Sequence, residues 1–274
     1  MNDPQCIRFL QWALPQMRFR WPGFRKVHKQ VCKRIARRMK TLGLEDLTDY
    51  RIYIKKHPGE WRTLDTLCRV TISRFFRDRG VFRCLEQKVI PTLVDRALAR
   101  GDRVFRIWSA GCGSGEEPYT LSIIWHHDPA LRSAEIDLQI VATDADPAML
   151  QRALQGCYFF SSLKEIPTSW REAAFLRHKN QFCLKGRYQH CVEFIEQDIR
   201  HQLPEGRFEL ILCRNLVFTY FEETLQREIL QRLHACLHEA GGLVLGKHET
   251  VSNTMAAGWA PWFKQQAIYR AHQA

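Results

Sequence analysis

The sequence predicts an α/β protein in which an all-α N-terminal domain, residues 1–98, precedes a sheet domain, residues 99–274. Up to residue 98, apolar residues recur at helical spacing and strand signals are almost absent. From residue 103 onward, apolar runs typical of buried strands alternate with helical segments, which indicates a parallel sheet with helices on both faces. A glycine-rich turn directly follows the first of these runs.

A strongly basic amphipathic helix is predicted over residues 26–40. Val27, Val31, Ile35 and Met39 recur at a spacing of four residues and form an apolar stripe. Seven cations with no interleaved acid cover the other faces: Lys26, Lys29, Lys33, Arg34, Arg37, Arg38 and Lys40. Such a helix is either a solvated face or a surface for an anion, and the repulsion among its cations favours the anion.

Four apolar runs are predicted to be strands of the parallel sheet, at residues 105–109, 138–143, 208–213 and 242–246. Each run is predominantly apolar, as strands buried on both faces are. Near the end of the chain, residues 266–270 are predicted to form the last edge strand.

An irregular segment, about residues 158–198, separates the second of these strands from the third and is interpreted as an inserted β-subdomain. Within it, residues 181–184 and 187–195 are predicted to pair as a hairpin around Lys185-Gly186. The predicted fold class is therefore an α/β sheet with a small antiparallel β-flap, preceded by a helical domain.

The turn after the first strand carries the strongest chemical signal. Gly111, Gly113 and Gly115 have no Cβ, so the backbone can take positive φ and a ligand can approach it closely. Glu116 and Glu117 follow in the first turn of a helix, where they disfavour a phosphate. They suit a ligand with a cationic amino group beside an adenosine, such as S-adenosylmethionine (SAM). An ordinary glycine-rich strand–helix turn is the alternative.

Further polar groups follow the other strands, at the edge of the sheet where open α/β sheets bind ligands. Asp144 ends the second strand, where an acid is expected to accept the hydroxyls of a ribose. Asp146 fits the N-cap of the next helix better. The acceptor and backbone N–H groups around Asp198 and Ile199 can bind an adenine edge, and Asn215 follows the third strand.

Composition indicates a globular protein with 45% hydrophobic and 26% charged residues. No run approaches the roughly 18 to 20 apolar residues that span a bilayer, and the N-terminus lacks a signal-peptide pattern. The ten cysteines occur singly, without zinc-type spacing. We therefore expect a cytoplasmic protein with reduced cysteines, no disulfides and no metal.

The net charge of +12 calls for an acidic or polyanionic partner. Charge alone leaves three classes open: nucleic acid, an anionic membrane surface and an acidic protein surface.

A series of short motifs occurs in a fixed order along almost the whole chain, from about residue 33 to residue 269. They are RRM-x-x-LGL at 37–44, S-x-FFRD at 73–78, VIP at 89–91, W-S-A-x-x-x-x-GEEPY at 108–119, ATDAD at 142–146, A-x-x-G-x-Y at 153–158, CRN at 213–215, YF at 220–221 and GG-L-x-x-G-x-x-E at 241–249. In these motifs the chain resembles the chemotaxis-receptor glutamate methyltransferases of the CheR type.

The resemblance implies a Rossmann-like SAM-dependent methyltransferase sheet and assigns roles to individual residues. The implied catalytic residues are Arg77, near the reaction centre, and Tyr220, beside the methyl acceptor. One residue more than the family usually has separates Asn215 from Tyr220. The implied or predicted SAM contacts are Thr71, Ser73, Arg77, Gly111, Gly113, Glu117, Asp144, Asp198, Ile199, Asn215 and Leu216.

The implied reaction is methyl transfer from SAM to glutamate side chains of receptor signalling helices, giving glutamate methyl esters and S-adenosylhomocysteine. The implied partner is the cytoplasmic helical domain of a chemoreceptor or a similar acidic protein, so the membrane is reached only through the receptor. Four residues of the basic helix are implied to dock it: Lys33, Arg34, Arg37 and Arg38. The flap resembles a small β-subdomain that can tether a receptor tail.

Three alternatives stay open. One is an enzyme of the same fold that methylates another acidic protein or a small carboxylate, and another is a non-catalytic SAM-binding docking module. A nucleic-acid methyltransferase would need a pocket motif for a flipped amino base, such as N-P-P-Y. The corresponding strand end reads Cys213-Arg214-Asn215-Leu216, so we expect no nucleic-acid partner.

Overall fold

The computed structural model describes residues 2–272, which form two compact units. The first unit covers the chain up to Thr71 together with Thr219–Gln226. The second covers Ile72–Phe218 and the chain from Arg227 onward. The division thus falls at residue 71, whereas the sequence pattern ends the helical domain at residue 98.

The first unit is helical. Its N-terminal part contains α1 (Asp3–Gln16), α2 (Trp21–Phe24), α3 (His28–Leu42), α4 (Leu47–Lys56) and α5 (Glu60–Cys68). Helix α3 is the predicted basic helix, and it ends at Gly43, whose φ of +69° closes it with a left-handed cap. Val31, Ile35 and Met39 are buried, which confirms three of the four positions of the predicted apolar stripe; the fourth, Val27, is half-buried and precedes the helix.

The remaining helices lie in the second unit, except that the last two each include residues of both units. They are α6 (Arg79–Cys84), α7 (Ile90–Ala99), α8 (Glu116–His127), α9 (Pro129–Ser133), α10 (Pro147–Gln155), α11 (Phe160–Leu163), α12 (Thr168–Ala174), α13 (Val217–Tyr220) and α14 (Glu223–Ala235). A π-helical segment, Leu85–Val89, joins α6 to α7.

Within residues 2–272, ten strands form two sheets in the second unit. They are β1 (Val104–Ala110), β2 (Asp137–Asp144), β3 (Cys157–Phe159), β4 (Phe175–His178), β5 (Gln181–Leu184), β6 (Val192–Glu196), β7 (Phe208–Cys213), β8 (Leu237–Leu245), β9 (Trp259–Phe263) and β10 (Ile268–Ala271). The large sheet has the order β6-β2-β1-β7-β8-β10-β9, and the small sheet has the order β3-β5-β4.

The large sheet is parallel from β6 to β8 and antiparallel beyond β8. Strands β1, β2, β7 and β8 confirm the four predicted parallel strands, and the small sheet confirms a β-flap. The Rossmann-like α/β fold class is therefore confirmed. Because the five parallel strands end at the same edge, the segments that follow them share that edge.

Two strand predictions were wrong. Residues 187–195 do not pair with β5; Gly186–Tyr188 is a 3-10 turn, and Val192–Glu196 pairs with β2 in the large sheet. Instead β5 pairs with β3 and β4. The predicted edge strand at 266–270 corresponds to β10, which lies inside the sheet between β8 and β9.

Helices α6 and α7 explain why the helical region and the compact units have different boundaries. Their apolar residues, among them Phe82, Leu93 and Val94, are buried in one cluster with Phe105 and Leu210 of the sheet. Residues 79–99 are thus mostly helical, as the sequence pattern indicates, and they cover the sheet of the second unit.

Four of the ten cysteines are paired, so the expectation that all are reduced was wrong for them. Cys6 is joined to Cys32 between α1 and α3, and Cys157 is joined to Cys183 between β3 and β5. The partners are 26 residues apart in both pairs, so no local motif marks them. The other six cysteines are free.

Candidate active site

The glycine turn after β1 forms the floor of the candidate site. The φ angles of Gly111, Gly113 and Gly115 are +75°, +56° and +88°, as predicted for a turn that excludes side chains. The nitrogen of Gly111 donates a hydrogen bond of 2.8 Å to the carbonyl oxygen of Thr143 at the end of β2. A Cβ on Gly111 would lie 2.7 Å from Cδ2 of Leu216, so this turn and the segment after β7 are in direct contact.

Asp144 is fixed beside this turn by backbone donors. Its Oδ2 accepts from the nitrogen of Gly113 at 2.8 Å, and its Oδ1 accepts from the nitrogen of Asp146 at 2.9 Å. Asp146 in turn accepts from the nitrogen of Ala148 at 2.9 Å and caps α10, which confirms its predicted role as the N-cap. The Asp144 carboxylate therefore keeps one orientation at the end of β2.

The two glutamates at the start of α8 have different environments. Glu116 is buried and accepts a hydrogen bond from the Ser114 hydroxyl. Glu117 is partly exposed; its Oε1 accepts from the Ser109 hydroxyl at 2.8 Å, and its Oε2 accepts from Nη1 of Arg214 at 3.0 Å. Only Glu117 thus combines a fixed carboxylate with access from outside.

The segment 71–78 has no regular secondary structure. Arg77 is partly buried, and its Nη1 donates to the carbonyl oxygen of Ile72 at 2.6 Å. Ser73 and Arg77 both belong to the second unit. Thr71 belongs to the first unit, whose N-terminal stretch ends at this residue.

The corner after β7 carries Asn215, which has a φ of +54°. Its nitrogen donates to Oε2 of Glu249 at 2.7 Å, and the nitrogen of Gly246 donates to the same oxygen at 2.7 Å. Gly246 has no room for a side chain, because a Cβ there would overlap the Asn215 amide. Buried Glu249 thus holds the ends of β7 and β8 together.

After β6 the two predicted residues have different surroundings. Asp198 forms an ion pair with Arg200 at 2.6 Å, whereas Ile199 is buried. The nitrogen of neighbouring Gln197 donates to the carbonyl oxygen of Asp144 at 3.0 Å. This bond joins the segment after β6 to the end of β2.

Two buried thiols lie at the strand ends, and burial raises the pKa of each. The Cys112 thiol in the glycine turn has its pKa raised further by the carboxylates of Asp144 and Glu117. Burial likewise raises the pKa of Cys213 at the end of β7. Both thiols stay protonated near neutral pH, so neither supplies a thiolate nucleophile.

The first unit contains Tyr220 and the predicted docking residues. The Tyr220 carbonyl accepts a hydrogen bond from the nitrogen of Arg20 at 2.8 Å, and its ring packs edge-on against Phe24. On α3, Lys33 and Arg37 are exposed.

The other two docking cations also bond within the first unit. Arg34 donates to the carbonyl oxygens of Leu67 and Arg69. Arg38 forms a bidentate ion pair with Glu60, at 2.9 and 2.7 Å. These two cations therefore tie α3 to the end and the start of α5.

Sequence reasoning missed the roles of Arg214 and Glu249. Both are buried and lie within the family motifs, CRN and GG-L-x-x-G-x-x-E. The signal that could have found them was a charged residue close after an apolar strand, where burial requires a partner.

Among residues 2–272, no helix is both long and apolar enough to cross a membrane. Comparison with family profiles gives a match to "CheR methyltransferase, SAM binding domain" over residues 71–263. The match covers well over half of the chain. The chain belongs to the CheR methyltransferase family. The matched region, which spans most of the sheet unit, is therefore the SAM-binding domain of a SAM-dependent methyltransferase.

Relatives support the CheR assignment. A "Probable chemotaxis protein methyltransferase" of Rhizobium etli CFN 42 is 33% identical over 230 residues, covering 81% of this chain and 84% of the relative. The "Chemotaxis protein methyltransferase" of Escherichia coli K12 is 30% identical over 237 residues, covering 82% and 78%. Among solved structures, the N-methyltransferase NodS of Bradyrhizobium japonicum WM9 is similar, with 13% identity and a TM-score of 0.37. The alignment covers 68% of this chain and 87% of the NodS chain.

The residues of this CheR domain fit SAM. Glu117 and Asp144 are oriented carboxylates near the glycine turn, suited to an ammonium group and to ribose hydroxyls. The Leu216 side chain packs against the turn at Gly111. The specific contacts of these residues with SAM stay predictions, as do those of Thr71, Ser73, Arg77, Asp198, Ile199 and Asn215.

Proposed function

We propose that this chain transfers the methyl group of SAM to glutamate side-chain carboxylates on the cytoplasmic helical domain of a chemoreceptor. The observation that carries the proposal is CheR family membership over the whole SAM-binding domain, with relatives named chemotaxis protein methyltransferases. Two further features support an acidic acceptor: the net charge of +12 and the exposed cations of α3.

The acceptor needs no general base. A glutamate carboxylate in water has a pKa of about 4.3 and is already ionised at neutral pH. When bound, SAM supplies the methyl group: a C–O bond forms, the S–C bond breaks, and the sulfonium becomes the neutral thioether of S-adenosylhomocysteine. The task of the chain is then to bind, align and exclude water.

Arg77 is the proposed partner of the acceptor carboxylate, because its guanidinium offers donors in a planar fork that suits two carboxylate oxygens. One donor is already engaged with the carbonyl oxygen of Ile72, which restrains the side chain. Tyr220 is the proposed hydroxyl that orients the acceptor, a role carried over from the family motif. Tyr220→Phe is expected to lower kcat while leaving SAM affinity unchanged.

The proposed positions of the acids suit this reaction. A carboxylate against the sulfonium would stabilise the charged ground state more than the transition state and would slow transfer. Glu117 and Asp144 are therefore assigned to the ammonium and the ribose, away from the methyl group. The ion pair of Glu117 with Arg214 also reduces the negative charge at that end.

The proposal is tested with the purified protein, SAM and the cytoplasmic helical fragment of a chemoreceptor from the same organism. We expect mass spectrometry to locate added methyl groups on glutamates of exposed helix faces. Replacing the modified glutamates with glutamine should abolish incorporation, while replacing unmodified neighbours should not. Methylation that persists on the glutamine variants, or that occurs on a nucleic acid, would overturn the proposal.

A further inference from the structure

Arg214 is a buried cation between two carboxylates of different segments. Its side chain is 3% exposed, and it forms ion pairs with Asp78 at 2.7 Å and with Glu117 at 3.0 Å. Its guanidinium lies over the Phe82 ring, 5.1 Å from the centroid. A cation so enclosed is strongly tied to its partners, because its removal would leave two carboxylates without a counter-ion in a largely desolvated place.

The same guanidinium holds the segment that carries Arg77. Nη2 of Arg214 donates both to the carbonyl oxygen of Arg77, at 2.9 Å, and to Asp78. This segment takes unfavourable backbone conformations, with φ of +52° at Phe76 and +65° at Asp78. Non-glycine residues hold such conformations only when surrounding contacts impose them.

A second hydrogen bond joins the segment that carries Arg77 to α8, the helix that carries Glu117. The nitrogen of Phe76 donates to the Thr120 hydroxyl at 3.2 Å, and that hydroxyl donates to the carbonyl oxygen of Glu116 at 2.6 Å. The segment is therefore attached to the first turns of α8 at two points. Only the Arg214 attachment involves Glu117 directly.

We propose that Arg214 is a positioning residue, which fixes the Glu117 carboxylate and the Arg77–Asp78 turn relative to each other. This inference rests on the proposed function for the roles of Arg77 and Glu117. Arg214 itself is not assigned to SAM or to the acceptor. Its effect on the reaction passes through the two carboxylates and the one carbonyl that it holds.

Arginine is the residue type that this position requires. Its planar fork donates from Nη1 to Glu117 and from Nη2 to Asp78 and the Arg77 carbonyl. A lysine carries the charge on one nitrogen and cannot reproduce donors fixed in one plane on both sides. Nε of Arg214 is buried and has no hydrogen-bond partner within residues 2–272. Arg214 therefore holds Glu117, Asp78 and the Arg77 carbonyl through its two terminal nitrogens alone.

The main test uses Asp78→Asn, because Asp78 is partly exposed and its loss leaves Arg214 paired with Glu117. SAM affinity is measured by calorimetry and kcat by methyl transfer. The matched control is Glu165→Gln, which removes an exposed ion pair with Arg79, the residue next to Asp78. Arg214→Lys provides the background for a double-mutant comparison.

We expect Asp78→Asn to weaken SAM binding and to lower kcat, each by about tenfold, since hydrogen bonds to charged groups are lost. The control should stay within about twofold. In the Arg214→Lys background, the same change should have less than about a twofold further effect, because the connection is already broken.

Wild-type SAM affinity in Asp78→Asn, or equal losses in both backgrounds, would overturn the inference. Where Arg214→Lys does not fold, the comparison of Asp78→Asn with Glu165→Gln alone decides it. Failure of the proposed function is recognised separately, as a wild-type protein that binds SAM but does not modify a receptor. The effect of Asp78→Asn on SAM affinity tests the inference in that case as well.

Discussion

Oδ2 of Asp144 accepts a hydrogen bond of 2.8 Å from the backbone nitrogen of Gly113. This bond connects the carboxylate at the end of β2 with the middle of the turn after β1. Because Gly113 has a positive φ, its N–H can point at the carboxylate without a side chain in the way. The turn and the acid therefore form one preorganised unit at the carboxyl edge of the sheet.

Replacing Asp144 with alanine should abolish measurable SAM binding, because both the predicted ribose acceptor and the anchor of the turn are lost. Charged hydrogen bonds are worth about 1.5 to 3 kcal/mol each, so losing two weakens binding at least about a hundredfold. Calorimetry checks this. Asp146→Asn is the matched control, since asparagine caps helices as well as aspartate does. Unchanged affinity in Asp144→Ala would remove the ribose assignment.

Gly111→Ala tests whether the turn must lie against Leu216. The added methyl would meet Leu216 Cδ2 at 2.7 Å, and the flexible leucine side chain would move aside. We expect a loss of stability of about 1 kcal/mol from the left-handed backbone, and weaker SAM binding from the displaced leucine. Gly43→Ala has a similar φ, +69°, with no atom within 4 Å, so it should lose stability without losing SAM affinity. Equal SAM affinity in both variants would contradict this view of the turn.

The ion pair of Arg38 with Glu60 predicts a pH dependence of stability in the first unit. Hydrogen bonds from Arg38, and from the Tyr50 hydroxyl, lower the pKa of Glu60. A lowered folded-state pKa stabilises the protein above the unfolded pKa of about 4.3, and the stabilisation is lost as pH falls through the folded pKa. Thermal unfolding of wild type and Glu60→Gln should therefore converge in acid, with the variant less stable at neutral pH by about 1 to 2 kcal/mol. A constant difference across this pH range would contradict the assignment.

Docking of an acidic partner is expected to depend on Lys33 and Arg37 more than on Arg34 and Arg38. The first two are exposed on α3, whereas the second two bind groups of the first unit. Reversing the charges of Lys33 and Arg37 to glutamate should raise KM for the receptor fragment about tenfold, with unchanged SAM affinity. Charge reversal of exposed Lys55 and Lys56 on α4 changes the net charge of the protein by the same amount and should raise this KM less. Equal effects of the two pairs would indicate a general charge effect instead of docking through α3.

The sequence predicted the strands that contain a long run of buried residues. β1, β2, β7 and β8 were found because continuous apolar runs are typical of strands covered on both faces. Strand β6 was misassigned because Glu193 and Glu196 interrupt its apolar residues, as at an exposed sheet edge. Strand β9 was missed because Pro261 lies inside it, and proline argues against a central strand but is tolerated at an edge.

Contacts between residues far apart in the chain could not be predicted from the sequence either. Arg214 contacts Asp78 and Glu117 across 136 and 97 residues, and only the folded sheet brings these groups together. The separation of the docking cations into exposed and internally paired residues has the same cause, since Glu60 lies 22 residues from Arg38. Motifs identified which residues belong near the strand ends, but not which of them hold one another.

Carboxyl methylation of a receptor is tested most directly by transfer of radiolabelled methyl from SAM to a membrane fraction of the organism that contains its chemoreceptors. We expect label on a receptor-sized band that is released by mild base, because a glutamate methyl ester is base-labile. Asp144→Ala should give no label in the same assay. Base-stable label, or no transfer by a wild-type protein that binds SAM, would contradict the proposed carboxyl methylation of a receptor.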